Sequence, residues 1–185
     1  MKRALVVGCA NEVWQEVEAA QKLATFDTIY CVKMAGIHWD FGPFVWVGLH
    51  PEFMERYVAE RRKLGLPDNF VSVAPLKGET ARVHTFISDR YASYRWPGMT
   101  SSGSSGLFGI KIALEDGHDR VVLAGIPMTR EAAHFQRGQP WVQIGEFTSA
   151  WTLMKPKLIG RVKSFSGWTR EMLGAPTKEW LDGTE

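Results

Sequence analysis

From Thr100 to Gly106 the chain contains only Thr, Ser and Gly, and it then runs into Leu107-Phe108-Gly109-Ile110-Lys111-Ile112-Ala113-Leu114-Glu115, an amphipathic helical pattern. Small residues let a backbone turn tightly and let a ligand come close. The first N–H groups of a helix have no internal acceptor and sit at the positive end of its dipole. Ser101, Ser102, Gly103, Ser104, Ser105 and Gly106 therefore form a candidate cradle for a phosphate or carboxylate. A ligand-free surface loop is the competing reading of the same residues.

Two further clusters carry acid–base potential. His38-Trp39-Asp40 and His50-Pro51-Glu52 each place an imidazole two residues from a carboxylate. Neither spacing is a zinc signature. Of these, His38 and Asp40 are the catalytic candidates. A hydrogen-bonded loop histidine is the alternative for both clusters. If a nucleotide phosphate is bound, Asp40 and Glu52 are the natural Mg²⁺ ligands. Arg130 and Arg137 could clamp a phosphate or carboxylate as bidentate donors, with Thr129 beside them a candidate ligand contact, or this could be an exposed charged loop.

These residues need elements to hold them. Ala4-Leu5-Val6-Val7 is an apolar run ending in Gly8-Cys9-Ala10-Asn11, as expected of a strand buried on both faces. Asn11 is a candidate N-cap for a helix from Glu12 to Thr25, and Gly8 and Asn11 are candidate ligand contacts. Further strands are predicted at 28–32, 44–49, 70–74, 120–126 and 161–165. Helices are predicted at 52–64, 105–116, 147–158 and 168–173. The segment from Thr80 to Thr100 fits no element well and reads as an insertion or lid, and Asp182 to Glu185 as a frayed end.

Strands alternating with helices imply right-handed crossovers and a mostly parallel, Rossmann-like α/β sheet in one domain. Ligands of such sheets bind beyond the carboxyl ends of the strands. The turns at 8–11, 35–43 and 126–130 should converge there, and the Ser/Gly loop can join them.

Several classes are disfavoured. Ala10 interrupts any G-x-G-x-x-G pattern, and Val32-Lys33 replaces the acidic residue of a dinucleotide site, so NAD is not expected. No G-x-x-x-x-G-K-[ST] occurs. A net charge of +2 demands neither a membrane nor a nucleic-acid partner, and no apolar run approaches membrane-span length. Cys9 and Cys31 lie in apolar runs and read as free buried thiols, which points to a reducing, cytoplasmic setting. Lys155, Lys157, Arg161, Lys163 and Arg170, flanked by Trp151 and Trp168, leave single-stranded nucleic acid open as a partner. The aromatic content, eight Trp included, hints at a homodimer.

The unit from Gly103 to Ile126 resembles the centre of a Rossmann-like transferase group that includes archaeal-type 6-hydroxymethylpterin diphosphokinase (MptE-like) and sialyltransferase-like proteins. The likeness rests on Ser104-Ser105-Gly106, Ala113-Leu114-Glu115-Asp116-Gly117 and Val121-Val122-Leu123-Ala124-Gly125-Ile126, with Val6-Val7-Gly8 and His50-Pro51 in support. Pro127 stands where those families often place an acidic residue. The resemblance implies a nucleotide or nucleotide-sugar pocket and phosphoryl or glycosyl transfer. A non-catalytic binding module is the alternative.

Overall fold

The computed structural model describes residues 1–99, 103–136, 138 and 143–185. Seven strands make one sheet in the order β5-β4-β3-β2-β1-β6-β7: β1 (Arg3–Val7), β2 (Thr28–Val32), β3 (Phe44–Val47), β4 (Phe70–Pro75), β5 (Arg90–Ala92), β6 (Arg120–Ala124) and β7 (Val162–Ser164). Every pairing is parallel. The expected α/β, Rossmann-like sheet is thus present.

The helices are α1 (Val13–Leu23), α2 (Ala35–His38), α3 (Met54–Lys63), α4 (Ser105–Glu115), α5 (Ile144–Leu158), α6 (Gly167–Leu173) and α7 (Lys178–Asp182). Two apolar layers flank the sheet. On one face Leu107, Phe108, Ile110 and Ile112 of α4 and Trp151, Met154 and Leu158 of α5 pack with Val6, Val32 and Leu123. On the other, α1, α2, α3 and Trp180 of α7 pack with Leu5, Val7, Cys31 and Trp46. Burial on both faces explains why β1 and β6 read as continuous apolar runs.

From β1 the chain steps outward strand by strand to β5. Helix α4 then returns it to β6 on the other side of β1. The order reverses between β1 and β6, and the carboxyl ends of these strands mark the crevice where such sheets take ligands.

Three elements depart from expectation. The 35–43 loop contains α2, a single turn too short to register as a periodic pattern; a Cβ on its Gly36 would lie 2.4 Å from the Trp46 ring. The 80–100 segment is not wholly an insertion, because Arg90–Ala92 pairs with Val73–Pro75 as the edge strand β5. Its anchor is Asp89, whose carboxylate accepts from the Ser72 N–H (2.8 Å) and hydroxyl (2.7 Å). The C-terminus is tied rather than frayed, with Glu185 on Lys163 at 2.8 Å and the Thr184 N–H on the Glu179 carbonyl. Cys9 and Cys31 are free and buried. Among the described residues no helix is long and apolar enough to cross a membrane.

Candidate functional site

Helix α4 points its N-terminus at the carboxyl edge of the sheet. Ser104 is its N-cap, accepting from the Leu107 N–H at 3.2 Å and from the Trp151 indole at 3.0 Å. The Ser105 hydroxyl accepts from the Leu49 N–H at 3.3 Å, which joins α4 to the turn after β3. A Cβ on Gly106 would lie 3.2 Å from Ile126, the second residue beyond β6. One helix start thus meets the exits of β3 and β6. By helix geometry the Ser105 and Gly106 N–H groups have no intrahelical acceptor. The Ser104 and Ser105 hydroxyls serve the fold, so anion binding here falls to backbone donors. Gly103 is buried beside them. Ser101 and Ser102 lie outside the described residues.

The turn after β3 presents His50. Its Nδ1 lies 3.2 Å from Glu52 Oε1, and Arg82 approaches the same carboxylate oxygen at 3.4 Å. Burial lowers the His50 pKa, Glu52 opposes that, and Lys33 and Arg82 lower it further. A neutral imidazole oriented by a carboxylate is suited to accept a proton at neutral pH. Lys33 follows β2 with φ of 51°, in the left-handed region that non-glycine residues seldom occupy. Its charge bears on both Cys9 and His50. Burial nonetheless pushes the Cys9 thiol up to about 11, so Cys9 offers no thiolate nucleophile.

The other predicted residues are dispersed. Gly8 is a packing joint, since a Cβ there would lie 2.3 Å from the Gly125 carbonyl. Its N–H donates to Ala124, that of Ala10 to Gly125 and that of Asn11 to Ala133. Three donors of this turn are therefore engaged by the fold, and the chain beyond β6 lies across it, with Ala10 bridged antiparallel to His134. Asn11 is not the N-cap of α1, a position held by Glu12. Its side-chain amide instead donates to the Ala133 and His134 carbonyls at 3.2 Å. His38 is hydrogen-bonded through Nε2 to the Gln136 amide and set against the Phe135 ring, not paired with Asp40. Asp40 is exposed. Thr129 is half-buried, and Arg130 is exposed with no ion pair among the described residues. Arg137 lies outside the described residues.

No group of three or more His, Cys, Asp or Glu among the described residues could hold a metal. Asp40 is exposed, and Glu52 is engaged by His50 and Arg82. Nor does the basic run form one surface. Lys157 and Arg161 reach toward Pro97 and His118, whereas Lys163 turns to Glu185 and the Trp180 ring.

Two supporting residues gave no recognisable signal in the sequence. Arg61 is fully buried on α3 and donates to the carbonyls of Gly36, Trp39 and Pro67 and to the Asn69 side chain. It thereby fixes the 35–43 loop. Glu16 on α1, 8% exposed, accepts from the Gly125 N–H at 2.7 Å and holds the left-handed turn after β6.

No protein-family model matches the chain, and no curated protein matches it. Among solved structures it is similar to that of a mammalian sialyltransferase in complex with Gal-beta-1-3GalNAc-ortho-nitrophenol. The TM-score is 0.49 at 13% identity, over 90% of this chain and 70% of that one. A likeness of that size says nothing about the chemistry of this chain.

Proposed function

We propose that this chain is a transferase acting on a nucleotide or nucleotide-sugar, with the ligand phosphate at the N-terminus of α4. The observation that carries the reading is the meeting of that helix start with the exits of β3 and β6, through Ser105 on Leu49 and Gly106 on Ile126. The unpaired N–H groups and the helix dipole favour a phosphate there. Lys33 adds positive charge at the same edge. His50, oriented by Glu52, is the acid–base group. It takes the proton of an acceptor hydroxyl while that oxygen bonds to the anomeric carbon or phosphorus. The bond to the departing nucleoside phosphate breaks, and the leaving group carries away the electron pair, its charge stabilised by the helix start. In this reading Arg130, exposed beyond β6, extends the anion contacts of a longer ligand, and His38 and Asp40 meet its distal part.

A thermal-shift screen against nucleoside phosphates and nucleotide-sugars, with and without Mg²⁺, tests this. A ligand at about 100 times its Kd should add about 2.7 kcal/mol of stability. Gly103→Leu should abolish the shift. His50→Asn should retain the shift and lose turnover. No shift with any phosphate ligand would overturn the reading, and binding without turnover by the wild type would leave a binding module instead of an enzyme.

A further inference from the structure

A second basic site lies away from the carboxyl edge. The C-terminal half of α4, the end of α5 and the Trp96-Pro97 segment enclose an open cleft of about 460 Å³, lined by Trp96, Pro97, Lys111, Leu114, Glu115, Lys157 and Arg161. Three cations thus face one carboxylate. That carboxylate, Glu115, is engaged by Lys111 one helical turn away. Among the described residues Lys157 and Arg161 meet only neutral carbonyls, Lys157 that of Pro97 at 3.1 Å and Arg161 that of His118 at 2.9 Å. Their charge is therefore uncompensated by any acid lining the cleft. Independently, Trp96 is 8% exposed and its buried indole N–H finds no acceptor among the described residues.

We infer that this cleft binds the phosphate of a small phosphate ester. Arg161 offers a planar fork that matches phosphate oxygens and Lys157 a mobile point charge, while Trp96 lines the same cleft. Pro97 and Leu114 supply apolar wall for the ester carbon. Because Lys163 turns to the opposite face with Glu185, the cations form a local pocket, not a track for a polynucleotide. The site stands independently of the transferase reading, since it shares no residue with the start of α4 or with His50.

The test is titration of the full chain with inorganic phosphate and with glycerol phosphate, followed by calorimetry and by the indole N–H signals in ¹H–¹⁵N spectra. Trp96→Phe assigns the Trp96 signal. Saturable binding that moves this signal is expected. The double variant Lys157→Ala/Arg161→Ala should weaken it at least about tenfold, since two charge-assisted bonds are lost. Both side chains are exposed, so its melting temperature should match the wild type. Lys157→Arg/Arg161→Lys should bind within a few-fold of the wild type. Undiminished binding in the double alanine variant, or an unmoved Trp96 signal at saturation, would overturn the inference. So would a single-stranded oligonucleotide that binds through these residues more tightly than the phosphate ester.

Discussion

Arg61 shows how much of one loop depends on a single buried side chain. Its guanidinium serves the carbonyls of Gly36 and Trp39 from below the 35–43 loop and lies 5.0 Å from the Phe44 ring centre. A lysine has no planar fork and cannot serve Gly36, Trp39, Pro67 and Asn69 together. Arg61→Lys should therefore destabilise the protein by about 3 kcal/mol, as expected when more than one hydrogen bond to a charged group is lost in a buried setting. Urea unfolding measures it; a loss within experimental error would show that the loop is held otherwise. In sequence, Arg61 is one of three consecutive basic residues on a charged helix, with nothing to single it out. His50 and Glu52 were legible as a pair, because two residues of separation across a turn keep them close. His38 and Asp40 have the same spacing. There the intervening Trp39 is drawn into the core, which leaves Asp40 exposed and His38 facing Gln136.

At the scale of elements, apolar runs located β1, β2 and β6 to within two residues, since burial on both faces leaves an unambiguous signature. Edge and single-turn elements carried no such mark. β5 is three half-buried residues fastened by Asp89, and α2 exists because Gly36 packs on Trp46. The turn after β1 looked like a ligand loop, yet its donors are spent on β6 and on the chain that crosses it, a long-range pairing that no local pattern reveals. The joint between α1 and β6 has a pH signature. Burial raises the pKa of Glu16, the Ser166 hydroxyl and the Gly125 N–H only partly oppose this, and the Glu12 charge adds to the rise. The folded state therefore holds the Glu16 proton more tightly than the unfolded chain does. Stability from this group is full below the ordinary glutamate pKa and is lost as pH rises through the raised value. Glu16→Gln keeps an acceptor for Gly125. The variant should match the wild type in acid and exceed it in stability at neutral pH, as read from denaturant midpoints across pH. A constant difference between the two proteins at all pH values would contradict this.

For the molecule as a whole, one crossover decides where chemistry can occur. Helix α4 carries the chain back across β1, and the same step that reverses the strand order brings the Ser/Gly helix start to the strand exits. The α/β class and the parallel sheet were legible because they follow from alternation and connection rules, and the same rules direct the proposed site to the carboxyl edge. What was hidden is which groups at that edge remain available once folding has used the rest: Ser104 for the cap, Ser105 for Leu49, and the turn after β1 for β6. The helix-start N–H groups and the His50–Glu52 pair remain, with the charge of Lys33 bearing on His50. The most direct measurement is a ¹H–¹⁵N titration of the full chain with the nucleotide that gives the largest thermal shift. The Ser105 and Gly106 amides should move most, with His50 close behind and the Gly8 and Ala10 amides nearly still. Large movement at Gly8 and Ala10, with Ser105 and Gly106 unchanged, would place the phosphate elsewhere and contradict this account.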